Sequence, residues 1–277
     1  MNNGVIPHSL QLYIRALCDP EITTIICQGG PGTGKTYTAT LVSMLMLASG
    51  LATTLQHTKP LVSAGGPSVG YERGSMADKL QFWTKPTKHA AERVANFSNM
   101  DPELLSSQVE SWPIDRTRGI SLPSGEILIA DEMQNCYMSL FACMTTRAEV
   151  GSKVVICGDV GQSDLGSKKP GGMARIVDSW KNLQQLAANP DSTDKPAAAA
   201  RKRIVELNLA FRFIELESTH NMRSSKNTEL NCWIKEVEEC RDQVRKQIIE
   251  AKPLDTGRIL TLSSLPLVPL FSAFAGL

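Results

Sequence analysis

Eight residues, Gly29-Gly30-Pro31-Gly32-Thr33-Gly34-Lys35-Thr36, lie between two apolar runs, TTIICQ from Thr23 to Gln28 and TATLVSMLMLASGLAT from Thr38 to Thr53. They fit the pattern G-x-x-x-x-G-K-[ST]. To wrap a phosphate in backbone N–H groups, a loop must keep side chains away and tolerate positive φ, and glycine does both. The run before the loop is β-branched and bounded by glycine, so it reads as a buried strand. The run after it reads as a buried helix whose positive dipole end points at the anion. A strand, a tight loop and a helix in this order belong to a parallel α/β sheet. Lys35 is the candidate for the β and γ phosphates of a nucleotide, and the Thr36 hydroxyl the candidate for Mg²⁺. Average composition makes a chance match in a chain of this length roughly 1 in 100.

Two further apolar runs end in polar groups. Ile127 to Ala130 (ILIA) is followed by Asp131-Glu132, and Val154 to Cys157 (VVIC) by Gly158-Asp159-Val160-Gly161-Gln162. Strand ends at the C-terminal edge of a parallel sheet are where ligands bind. Asp131 is the candidate to hold Mg²⁺ through water, and Glu132 to polarise the attacking water. Gln162 is the candidate to orient that water and sense the γ-phosphate. In Leu216 to Ser225 (LESTHNMRSS), Arg223 is the first choice to offset transition-state charge. Gln11, ahead of the first strand, is a candidate for the adenine edge, because an amide can pair bidentately with it. The bland readings are a solvated acidic turn for Asp131-Glu132 and surface side chains for Gln162, Arg223 and Gln11. Three strand-end motifs in this order are far more specific than any one of them.

Residues 7–19 predict a short helix, 53–64 a second strand region and 137–148 a further helix, while 65–126 are mixed. Residues 1–186 are thus expected to form the core. The low-complexity stretch AANPDSTDKPAAAARKR, 187–203, predicts an exposed linker. Val205, Leu207, Leu209, Phe211 and Phe213 alternate at period two and predict a returning strand. Leu230, Trp233, Val237, Cys240 and Val244 share a face of a helix expected from about Asn227 to Lys252. Residues 204–252 would then complete the core, and 253–277 would form an apolar tail with no assigned role.

Apolar residues make up 42% and charged residues 21% of the 277. That excludes a wholly disordered, collagen-like or membrane-embedded chain. Thr38 to Thr53 is shorter than a membrane span. Pro266 and Pro269 make Ile259 to Leu277 a poor spanning helix. No membrane partner is therefore expected. With Lys plus Arg 29 and Asp plus Glu 28, the net charge is only +1. A protein that coats polyanions is usually far more basic, so nucleic acid would have to meet a local patch. The seven cysteines are odd in number, contain no Cys-x-x-Cys, and point to a reducing, cytoplasmic setting. The segment MNNGVIPHSL lacks the apolar core of a signal peptide.

Taken together, these residues resemble the PhoH-like family of P-loop ATPases. Gln28 to Tyr37 (QGGPGTGKTY) looks like the family's loop, which adds Tyr37 to the nucleotide-binding candidates. Thr58 to Lys79 (TKPLVSAGGPSVGYERGSMADK) looks like its segment between strands. Asp131 to Asn135 (DEMQN) is similar to its D-E-x-Q-N signature, and Thr146 to Leu165 (TRAEVGSKVVICGDVGQSDL) to its T-R…G-D-x-x-Q-x-D-L block. Asp115 to Gly119 (DRTRG) departs from the family's M-R-G-R-T. The family in turn resembles the first motor domain of superfamily-one helicases, and LESTHNMRSS looks like the helicase motif whose arginine contacts the γ-phosphate. The resemblance implies a RecA-like parallel sheet flanked by helices. It also makes a bacteriophage a plausible source.

A helicase closes two motor domains around ATP, and this chain has room for one. The second wall is then expected from another subunit, in a homo-oligomer such as a ring, with a hexamer one form of it. Arg147 or Arg73 would be the candidates to act across that interface. The leading expectation is an ATPase with ATP and Mg²⁺ as cofactors, working on RNA or single-stranded DNA. Its rival is an ATP-dependent assembly switch that binds a protein partner without nucleic acid. A small-molecule kinase is weaker, because no arginine-rich lid is evident.

Overall fold

Six strands pair side by side, all parallel, in the order β3-β2-β4-β5-β1-β6. The computed structural model describes residues 6–60, 87–96, 100–114, 121–163, 171–188 and 194–217. The strands are β1 (Thr24–Gly29), β2 (Thr54–Lys59), β3 (Val109–Pro113), β4 (Glu126–Ala130), β5 (Lys153–Gly158) and β6 (Phe211–Leu216). The helices are α1 (His8–Cys18), α2 (Lys35–Ala48), α3 (residues 87–96), α4 (Pro102–Ser107), α5 (Met138–Thr145), α6 (Gly172–Ala187) and α7 (Lys195–Ala210).

The apolar runs are continuous because both faces of the sheet are covered. Alternate residues take opposite sides. Ile25 and Cys27, Ile127 and Ile129, and Val155 and Cys157 pack with α1, α2, α3 and α4. Ile26, Leu128 and Ala130, and Val154 and Ile156 pack with α5 and α6. Parallel register sets every C-terminal strand end on one edge. In that register Gln28 lies opposite Gly158, and Ala130 lies opposite Ile156.

α1 is pinned from its C-terminal side. Lys153, only 6% exposed, donates through Nζ to the carbonyls of Ala16 (3.5 Å), Asp19 (2.8 Å) and Ile22 (2.5 Å). Burial lowers its pKa to about 8. An ammonium on the last carbonyls of a helix is well placed for the helix dipole.

The chain after α6 differs from the expectation of an exposed linker over 187–203 and a strand from residue 205. α7 begins at Lys195 with proline in its first turn, and runs to Ala210. Its Ala197–Ala200 run has the highest intrinsic helix propensity, and Ala197 and Ala200 are buried. The alternation at 205–209 belongs to the helix, where Val205 and Leu209 are exposed. Only Phe211 and Phe213 of that pattern lie in a strand, β6, and both rings pack on Trp180 of α6. The helix expected over 227–252, the tail over 253–277, Arg223, Arg73 and Asp115 to Gly119 lie outside the described residues. Among the described residues, no helix is long and apolar enough to cross a membrane.

Candidate nucleotide site

β1 ends at Gly29, and the glycine loop turns directly into α2. Gly32 and Gly34 have φ of 77° and 91°, the left-handed region that glycine enters without strain. A Cβ on Gly29 would lie 2.9 Å from Thr33 Oγ1 and 3.0 Å from Leu216 Cβ, so only glycine fits there. Thr33 closes the loop from inside by donating to the Gly30 carbonyl at 2.8 Å. Lys35 Nζ folds back onto the loop and donates to the carbonyls of Gly29 (2.6 Å) and Gly30 (2.9 Å). Anionic oxygens would outcompete those neutral carbonyls for an ammonium.

Thr36 Oγ1 donates to Asp131 Oδ1 at 2.7 Å, across 95 residues of sequence. One oxygen comes from the first turn of α2 and the other from the end of β4, and they meet at the N-terminus of α2. Hard oxygen donors suit Mg²⁺, so Thr36 and Asp131 fit that ion, and the loop with its lysine fits a polyphosphate. Beside Thr36, Tyr37 is partly exposed and carries Arg93 of α3. The guanidinium lies 5.8 Å from the ring centroid and donates to the phenol oxygen at 2.5 Å.

Glu132 follows Asp131 and is exposed at the open edge. Its φ of 56° makes it the one non-glycine residue with positive φ among the described residues. Its Oε2 accepts from Gln134 Nε2 at 2.7 Å. Between β4 and β1, β5 ends at Gly158 and Asp159 follows it. Asp159 Oδ1 accepts from the Gly161 N–H at 3.0 Å. Its Oδ2 is buried with no hydrogen-bond partner among the described residues. Gln28 Oε1 accepts from the Val160 N–H at 3.2 Å and so ties the end of β1 to the same turn.

Below the loop, Tyr13 of α1 is fully buried. Its hydroxyl donates to the Lys35 carbonyl at 3.2 Å and lies 3.5 Å from Cys157 Sγ. Burial, then Cys157 and Cys27, pushes the phenol well above its ordinary value. Burial also pushes the Cys157 thiol to about 12 and raises Cys27. All three stay neutral, so this floor is apolar support rather than chemistry.

The geometry brings together Lys35, Thr36, Asp131 and Glu132, and it reaches the Gln162 backbone through Gln134. The Gln162 side chain is exposed beside this group. Gln11 lies on α1, but its Nε2 donates to the Ile6 carbonyl at 2.7 Å, back toward the start of its own helix. Arg147 is partly buried after α5, and its backbone carbonyl accepts from the Leu122 N–H at 3.0 Å. Gln134, Gln28 and Tyr13 were not among the sequence candidates. The DEMQN pattern contained Gln134, but its partners just after β5 are visible only once the sheet forms.

A parallel sheet with a phosphate loop after β1, an acidic strand end after β4 and a polar strand end between them defines a RecA-like P-loop NTPase fold among the described residues. The family model described as "PhoH-like protein" matches residues 7–207. The chain belongs to that family. It is 31% identical over 180 residues to the PhoH-like protein of Mycobacterium bovis, covering 63% of this chain and 48% of that one. It is 28% identical over 179 residues to the PhoH-like protein of Bacillus subtilis, covering 64% and 56% respectively. The chain thus spans about half the length of the curated relatives it matches. Unliganded Pif1 from Bacteroides sp is similar over 83% of this chain and 45% of that chain, at 15% identity. Its TM-score of 0.33 is too low for that likeness to carry weight.

Proposed function

We propose that this PhoH-like chain binds ATP with Mg²⁺, hydrolyses it, and couples hydrolysis to work on RNA or single-stranded DNA as a homo-oligomer. The observation that carries the hydrolytic half is the 2.7 Å contact between Thr36 and Asp131 with Glu132 adjacent. Phosphate-binding and water-activating groups then share one sheet edge.

In this reading Lys35 releases the Gly29 and Gly30 carbonyls and takes the β and γ phosphates. The loop N–H groups from Gly32 to Thr36, with Gly29 leaving room, hold the remaining oxygens. Mg²⁺ on Thr36 and Asp131 would supply charge neutralisation on the phosphates. Glu132 takes the proton of the water that attacks the γ-phosphorus, and Gln162 orients that water. Arg223, outside the described residues, offsets the charge that builds on the γ-phosphate. Tyr37 borders the site, and Gln11 would recognise adenine only after leaving the Ile6 carbonyl.

The nucleic-acid half is supported by the sequence resemblance to superfamily-one helicases. The net charge of +1 favours the second reading, an ATP-dependent assembly switch for a protein partner. Phosphate release from ATP with Mg²⁺, with and without single-stranded RNA and DNA, tests both. Several-fold stimulation supports the motor. Turnover indifferent to both polymers supports the switch, and no turnover overturns the hydrolytic reading.

A further inference from the structure

Gln134 has both polar atoms of its side chain committed to groups of the site, yet none of the proposed steps uses it. It is 2% exposed. Its Nε2 donates to Glu132 Oε2 at 2.7 Å and, at the long limit of 3.5 Å, to the Gln162 carbonyl. Its Oε1 accepts from the Asp159 N–H at 3.1 Å. The partners allow only one orientation of the amide, since a carboxylate and a carbonyl accept while an N–H donates. Room for it is made by Gly158, where a Cβ would lie 2.8 Å from Gln134 Oε1 and 3.1 Å from its backbone N.

We propose that Gln134 is a positioning residue. It fixes the Glu132 carboxylate for proton abstraction and ties that carboxylate to the backbone of Asp159 to Gln162. The proposal rests on the hydrolytic reading above. Glu132 is exposed, so without the amide its carboxylate is free to take several rotamers, of which only some face the water. Three close replacements do not do the same work here. Glutamate would set two carboxylates at hydrogen-bond distance. Methionine would leave the Asp159 N–H unpaired in a buried place. Asparagine is one methylene too short.

The test compares the full-length wild type with Gln134→Met, Gln134→Glu and Glu132→Gln. Phosphate release is measured across pH 5.5 to 9.5, alongside binding of a fluorescent ATP analogue. Gln134→Met is expected to lower kcat about 10- to 100-fold through misplacement of the base. Its KM and its affinity for the analogue should stay within about threefold of wild type, because no ground-state contact is lost. In Gln134→Glu the paired carboxylates share a proton, which raises the apparent pKa of the base. The acid limb of the kcat profile should then move up by about one pH unit or more, with turnover partly recovered at the alkaline end.

A purely structural role would lower analogue affinity along with kcat, whereas loss of positioning lowers kcat alone. Should Gln134→Met fail to fold, the isosteric Gln134→Glu decides alone. An unshifted limb with kcat within about twofold of wild type overturns the proposal, as does a loss of analogue affinity that matches the loss of kcat. If the wild type turns over, Glu132→Gln is dead and the Gln134 variants are normal, only this proposal fails. If the wild type is inactive, or Glu132→Gln retains full turnover, the base role fails and this proposal falls with it.

Discussion

Replacing His57 by glutamine should remove an acid lability built in beneath the phosphate-loop helix. His57 sits on β2, 7% exposed, with Nε2 3.4 Å from Thr40 Oγ1 of α2. Burial, then Lys59, lowers its pKa from 6.5 to about 4. Above pH 6.5 the ring is neutral in both folded and unfolded chains, so it contributes nothing to pH dependence. Between 6.5 and about 4 only the unfolded chain gains the proton, so stability falls as pH falls. Each pH unit is worth about 1.4 kcal/mol, so the loss is about 2 kcal/mol at pH 5 and about 3 kcal/mol at pH 4. Urea unfolding of wild type and His57→Gln at several values from pH 8 to 4 reads this directly. The smaller side chain carries a cost of its own, but that cost is independent of pH. The quantity of interest is therefore the difference in slope below pH 6.5. Parallel stability curves for the two proteins would refute a buried neutral histidine at this position.

Three further outcomes are expected. Lys35→Ala should weaken ATP-analogue binding about 100-fold or more, through loss of charge-assisted bonds, by fluorescence titration. Glu132→Gln should keep that affinity while kcat falls about 10²- to 10⁴-fold, the range for loss of a general base, by phosphate release. Gly158→Ala should cost about 1–3 kcal/mol from overpacking against Met173 and Gln134. Its thermal midpoint should then fall by roughly 2 to 10 °C in a melt followed by circular dichroism.

How far the sequence could be read depended on where each residue's partners come from. TTIICQ, ILIA and VVIC were legible as strands because burial on both faces leaves them apolar throughout. β3 (VESWP) was lost in the mixed stretch 65–126, because its hydrogen bonds come from β2 alone, at the sheet edge. β2 was expected over 53–64 but runs Thr54–Lys59. Its polar residues are matched by distant groups, Gln56 by Glu126 and Thr58 by the Trp112 carbonyl. α7 was misread because a polar, proline-containing, alanine-rich run looks like a linker until Ala197 and Ala200 find a surface to bury against. At the site, Lys35, Thr36 and Asp131 were legible from spacing and from the strands that precede them. Gln134 was not, because its role lies in its contact with the end of a strand, at Asp159, 25 residues further on. Gln11 was read for what an amide can pair with, and the structure gives that amide the Ile6 carbonyl.

The left-handed backbone at Glu132 has a consequence for drift. A side chain in that region costs about 1–2 kcal/mol, which glycine or asparagine would largely return. Local energetics at position 132 therefore pull against the proposed chemistry. A descendant copy relieved of any need for turnover would gain folding stability by giving up the carboxylate, while its phosphate loop and its capacity to hold nucleotide stayed intact. Such copies would accumulate as binders that no longer cut, and a directed-evolution experiment selecting only for thermal stability should reach them early.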